Sequence, residues 1–180
     1  MIIGLTGKMK SGKDTVANFI AENKSLDTQI FSMAKPLKEF CINMLGLAPE
    51  DVYTQEGKAT YNTFWGMTHR EILQKIGTDA MRNGFCDDVW VKIMYVTLIK
   101  NARPWNTCVI PDIRFENEAD LIHALGGIVI KVERDLYVED SHASEKDLPL
   151  SCIDHIFLNH GSLDDLKTQV NIMLKNYDLI

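Results

Sequence analysis

Positive charge is in short supply in this 180-residue chain: 19 basic residues stand against 25 acidic ones, for a formal net charge of -6. That balance disfavours a broad grip on nucleic acid through phosphate neutralisation. Arginine is scarce, with only Arg70, Arg82, Arg103, Arg114 and Arg134. Their positions therefore carry information, because the guanidinium fork suits bidentate phosphate contacts. Cys41, Cys86, Cys108 and Cys152 form no C-x-x-C pair and no zinc-ligand spacing. Reduced, mostly buried thiols in a cytoplasmic protein are expected. No apolar run approaches the roughly 20 residues of a membrane span, and the N-terminus lacks a charged-then-apolar leader pattern. No repeat, low-complexity tract or proline-rich linker divides the chain. At 46% hydrophobic residues, it can bury the core of one soluble, intracellular domain.

Against these absences stands one dense stretch, residues 2 to 20, IIGLTGKMKSGKDTVANFI. An apolar run meets Gly7, and Gly12-Lys13 then opens an amphipathic segment. Strand, glycine-bounded loop and helix in this order are what a phosphate-binding P-loop requires. Backbone N–H groups must converge on phosphate oxygens, and the helix adds unpaired amides and the positive end of its dipole. Lys13 supplies a mobile charge for the β- and γ-phosphates. The stretch departs from the general pattern at Asp14, which stands where Ser or Thr ordinarily holds magnesium; Thr15 follows one residue late.

The remainder reads as alternating strands and helices. Strands are expected at 2–6, 29–32, 107–110, 128–132 and 153–158, and helices at 13–23, 35–45, 68–81, 87–101, 116–125 and 162–174. Thr68-His69-Arg70-Glu71 has capping-box spacing. Residues 46–67, with four glycine or proline positions, are expected to be loops or an insertion. The alternation implies an α/β fold with a mostly parallel sheet of about five strands and ligands at the strands' carboxyl ends.

Asp112 follows a buried strand, where an acid can bind Mg²⁺ beside the P-loop; a strand-end turn aspartate would look the same. Arg114 should point to the same side if the backbone stays extended. Glu116 and Glu118 fit simple dipole satisfaction in a helix first turn. Arg70 and Gln74, four apart, share a polar helical face with Thr78 a turn on; an acceptor site and a solvated face both fit. Arg82 and Trp90 bracket the next helix, and Trp90 suits either base stacking or core packing. The polar stretch from Arg134 to Pro149 suggests a lid, with Arg134 at its root able to neutralise charge on a transferred phosphoryl group. His142 and Glu145 are too few for a metal site.

Taken together, Gly7-x-x-x-Ser11-Gly12-Lys13-Asp14-Thr15, Arg70-x-x-x-Gln74-x-x-Gly77-Thr78, Asp112-x-Arg114-Phe115-x-Asn117-Glu118 and His142-x-Ser144-Glu145 resemble the phage deoxynucleoside monophosphate kinases. Asp154 to Ser162 is similar to the final strand and turn of nucleoside monophosphate kinases, where the turn lies by the ATP base. The resemblance implies a three-layer P-loop NTPase fold as one domain, with a helical acceptor-binding region near 33–95 and a lid near 134–150. It implies ATP and Mg²⁺ as cofactors and a deoxynucleoside monophosphate as small-molecule partner, with no nucleic acid and no membrane; a homodimer is compatible with it.

ATP would be held by Gly7, Lys8, Lys10, Ser11, Gly12, Lys13, Asp14, Thr15, Asn159 and Gly161, and magnesium by Asp14, Thr15 and Asp112. The acceptor would meet Lys35, Arg70, Gln74, Thr78, Arg82, Trp90, Asp112 and Arg114. Lys13, Arg114 and Arg134 would carry the catalysis, in the cytoplasm of the cell or of a phage-infected host. Two other readings compete: a dephospho-coenzyme A or phosphomevalonate type of kinase, sharing the core but not the acceptor, and, from a different class, a nucleotide-binding switch or regulatory NTPase. A switch reading guanine would need Asn/Thr-Lys-x-Asp after a strand, and the chain has no such tetrapeptide.

Overall fold

A computed structural model describes residues 1–101, 103, 104, 106–134 and 147–180. The elements begin with β1 (Ile2–Thr6), α1 (Lys13–Ala21), β2 (Asp27–Ile30), α2 (Lys35–Leu45), α3 (Pro49–Tyr53) and α4 (Gln55–Ala59). Next come β3 (Tyr61–Asn62), β4 (Met67–Thr68), α5 (His69–Gln74), a π-helical segment Lys75–Asn83, α6 (Val89–Asn101) and β5 (Asn106–Ile110). The chain continues through α7 (Glu116–Ala124), β6 (Ile128–Glu133), a 3-10 turn at Leu150–Cys152, β7 (His155–Leu158) and α8 (Leu163–Asn176). It divides into two compact units, one made of Met1–Ser32 and Met94–Ile180, the other of Met33–Ile93.

The first unit is built on a five-stranded sheet in the order β2-β5-β1-β6-β7, every pair parallel. Its three inner strands, β1, β5 and β6, are the buried, β-branched runs that a doubly covered sheet demands. On one face Ile3 and Leu5 of β1 and Ile128, Ile130 and Val132 of β6 pack with Val16, Ala17 and Ile20 of α1 and Leu166, Val170, Met173 and Leu174 of α8. On the other, Gly4 lies under α7: a Cβ there would stand 3.0 Å from Ile113 and 3.3 Å from Ile122. Helices thus cover both faces, giving the three-layer α/β fold. The chain leaves β1 toward β2 on one side, and β5 later leads to β6 on the other. Connections diverge at the carboxyl end of β1, the place where such sheets collect ligands.

Several boundaries differ from expectation. β2 lies two residues earlier than 29–32, because this edge strand is largely exposed and has no apolar signature. α1 stops at Ala21 and β7 starts only at His155, after the 3-10 turn.

In the second unit, 46–67 is not loop: α3, α4 and the β3–β4 hairpin occupy most of it. A small core of Cys41, Leu47, Val52 and Ile72 lies beneath them. Asn62 Oδ1 accepts from the backbone N–H groups of Phe64 (3.0 Å) and Trp65 (3.1 Å), which turns its Nδ2 toward His69 Nε2 at 3.1 Å. Nε2 is therefore the acceptor, and Nδ1–H donates to Gly57 O at 2.8 Å. The Asp51 carboxylate stands 3.3 Å from the same Nδ1.

The capping box forms at α5. Glu71 N donates to Thr68 Oγ1 (3.2 Å), while Glu71 Oε2 accepts from Thr68 N (2.7 Å), a bond that pulls the Glu71 carboxyl below its ordinary range. The helix expected to run on to residue 81 ends as α-helix at Gln74 and continues as π-helix. Trp90 Nε1 donates to Gly77 O inside that segment at 2.9 Å. Among the described residues no helix is long and apolar enough to cross a membrane.

Candidate active site

The loop between β1 and α1 folds on itself. Ser11 N donates to Lys8 O at 3.1 Å, and Gly12, in the left-handed region at φ 108°, opens α1 without a side-chain cap. Lys13 Nζ donates back to Gly7 O (2.6 Å) and Lys8 O (2.7 Å), so the ammonium lies over the loop it follows. Beside it is a cavity of about 320 Å³. Lys10, Gly12, Lys13, Asp14 and Thr15 line one part; Arg134, directly after β6, and Asn159, Gly161 and Leu163, after β7, line the rest. These residues, far apart in sequence, are brought together. A second hollow of about 160 Å³ adjoins Lys8 and Ser11 and is lined by Lys131, Glu133, Arg134 and Asp147. Lys131, which the sequence did not single out, bridges Glu133 (3.5 Å) and Asp147 (3.6 Å).

Cationic side chains dominate the first cavity, with Asp14 the one acid among the described residues that line it. That field, the loop amides and the start of α1 suit a polyphosphate. Asp14 and Thr15, which line this cavity, and Asp112, which does not, carry only oxygen donors, the type a hard cation such as Mg²⁺ takes.

Asp112 leaves β5 beside the carboxyl end of β1, whose Leu5 O accepts from Ile113 N at 3.1 Å. The backbone turns at Pro111-Asp112, immediately before the step from Asp112 to Arg114. Ser32 Oγ donates to Asp112 Oδ2 at 2.6 Å, a partner sequence reasoning missed. No motif marks Ser32, and only its place just past β2, an edge strand beside β5, could have pointed to it. Glu118, 3% exposed, accepts from the backbone N–H groups of Arg114 (2.8 Å) and Phe115 (3.2 Å). Its work is to cap α7 and fix the backbone at Arg114.

The second unit holds Lys35, Arg70, Gln74, Thr78, Arg82 and Trp90. Lys35 is exposed, 3.7 Å from Glu39. Arg70 Nη2 donates to Gln55 Oε1 at 2.9 Å. Arg70 and Gln74 share a face of α5, but the step to Thr78 enters the π-helix, where α-helical spacing no longer applies. Arg82 is buried and donates from Nη1 to Asp87 O at 3.0 Å. Trp90 is tied to Gly77 as described. His142, Glu145 and the body of the expected lid, 135–146, lie outside the described residues.

A glycine-bounded loop between the central parallel strand and its helix, with a strand-end aspartate on the neighbouring strand, defines a P-loop nucleotide-binding protein. Comparison with known proteins narrows this. The family model for deoxynucleotide monophosphate kinase matches residues 49–170. The chain is 33% identical to a putative deoxynucleotide monophosphate kinase of Acanthamoeba polyphaga mimivirus, with 94% of each chain covered. It is 24% identical to the deoxynucleoside-5′-monophosphate kinase of Escherichia phage T5, again over 94% of each. To the deoxynucleotide monophosphate kinase of Enterobacteria phage T4 it is 32% identical, over 59% of this chain and 45% of that protein. The chain belongs to the deoxynucleotide monophosphate kinase family, as the resemblance of its motifs implied.

Proposed function

We propose that this protein moves the γ-phosphoryl group of ATP onto a deoxynucleoside 5′-monophosphate, forming the diphosphate. The observation that carries this reading is the cavity in which P-loop, Arg134 and the turn after β7 converge, in a chain of this family. The acceptor's phosphate oxygen is already ionised, so the protein needs no strong base. Its work is positioning and charge neutralisation. The loop amides from Gly7 to Thr15 and Lys13 hold the donor phosphates, with Lys8 and Lys10 adding positive field. Asp14, Thr15 and Asp112 would hold Mg²⁺, which when bound would neutralise charge on the donor phosphates. Arg134 meets the transferred group. Arg70 and Arg114 receive the acceptor phosphate, with Gln74, Thr78, Trp90 and Lys35 toward its nucleoside. The site of action is the cytoplasm, that of the host if the chain is virus-borne.

The test is ADP formation from ATP and Mg²⁺ against a panel of deoxynucleoside and ribonucleoside monophosphates, dephospho-coenzyme A and phosphomevalonate. Turnover with at least one deoxynucleoside monophosphate is expected; turnover with none of them removes the reading. Arg70→Ala and Arg114→Ala should raise the acceptor's KM or lower kcat by roughly tenfold or more while ATP binding changes little. Unchanged acceptor kinetics in both would place the acceptor elsewhere.

A further inference from the structure

Asn159 was expected beside the ATP base, yet its side chain is turned to the loop. It is 9% exposed, and its Nδ2 donates to Ser11 O at 2.8 Å across 148 residues of sequence. Its own backbone N–H donates to Glu133 O at 2.7 Å, which anchors it to the end of β6. The orientation of the amide is determined, since only the NH₂ end can face a carbonyl. In a trans peptide the C=O and the following N–H point in opposite directions. Holding Ser11 O toward Asn159 therefore holds Gly12 N–H away from it, into the loop. Ser11 Oγ, buried with no hydrogen-bond partner among the described residues, does not hold this peptide either. Gly12, at φ 108° and without a side chain, is the residue type that most readily lets a peptide turn over. A Cβ at Gly12 would stand 2.6 Å from Asn159 Nδ2, so the two are fitted to each other.

We propose that Asn159 is a positioning residue that locks the Ser11–Gly12 peptide with its N–H presented to the donor phosphates. The inference rests on the loop being the phosphate cradle. A turned peptide would present Ser11 O to those phosphates instead, exchanging a donor for a repelling acceptor. Asn159 thus acts on the triphosphate, through the loop, and not on the base.

Inorganic tripolyphosphate with Mg²⁺ separates the two roles, because it has phosphates and no base. Titration calorimetry of Mg-tripolyphosphate and Mg-ATP into wild type, Asn159→Ala and Asn159→Asp is the experiment. Asn159→Ala is expected to weaken both ligands by the same factor, roughly tenfold for one lost hydrogen bond and its carbonyl. Asn159→Asp, which sets a carboxylate against Ser11 O, should weaken both further, by roughly a hundredfold. Loss of ATP affinity with tripolyphosphate unchanged would make Asn159 a base-reading residue and overturn the proposal; unchanged affinity for both ligands would also overturn it.

A readout on the wild-type protein guards against variants that do not fold. With selective ¹⁵N-glycine labelling, the Gly12 amide should shift strongly on tripolyphosphate addition; a Gly12 amide that does not respond removes the lock even if other loop amides respond. Wild type that binds neither ligand would fail the cradle itself, a result distinct from all of these.

Discussion

Lys13 and Asp14 are neighbours with separable tasks. The Lys13 ammonium rests on the carbonyls of Gly7 and Lys8, charge-assisted bonds that a phosphate would replace with bonds of the same kind. Lys13→Ala should lower kcat by roughly 10²–10³, the scale of removing one charge-stabilising donor, with the thermal melt unchanged. A near-normal rate would sink the P-loop assignment. Asp14 is exposed and lines the cavity one position before Thr15. If it serves magnesium, Asp14→Asn should raise the Mg²⁺ concentration for half-maximal rate by roughly tenfold; an unaltered magnesium titration would argue that Thr15 and Asp112 suffice. Most of this loop was legible from residue types alone, because amide convergence needs glycine and a lysine at fixed spacing. Asn159's bond to Ser11 was not, because a pairing across 148 residues leaves no local pattern.

At the scale of elements, the strands and longer helices stood out because buried β-branched runs and apolar stripes are periodic. β2 was displaced because an exposed edge strand has no such stripe. α3, α4 and the β3–β4 hairpin escaped notice because each is short, and polar contacts around His69 organise them. The π-helix was invisible for another reason: Ile72, Leu73 and Ile76 make the same stripe whether the later turns are α or π. Trp90 is the test of that segment. Its indole N–H bonds Gly77 O, so Trp90→Phe should cost about 0.5–1.5 kcal/mol in urea denaturation. Were Trp90 instead only a stacking platform, phenylalanine would keep its function and stability would not move.

For the molecule as a whole, stability should have an alkaline limb. Burial pushes the Cys41 thiol from its ordinary value of 9.0 up to about 11. The unfolded thiol ionises first, so the folded state keeps its full advantage below pH 9 and loses it as pH rises toward 11, by at most about 3 kcal/mol. Cys41→Ala should flatten the fall in urea midpoint between pH 8 and 10.5; an equally steep fall would locate the alkaline limb elsewhere. The order β2-β5-β1-β6-β7 has a consequence in time. Ile2 of the central strand waits for its partner Cys108, about a hundred residues downstream. At ribosomal speeds of about 5–20 residues per second, the run Ile2–Thr6 spends roughly 5–20 s with both edges open. The strand that carries the phosphate loop is thus also the one most exposed to chaperones, or to a neighbouring chain, during synthesis.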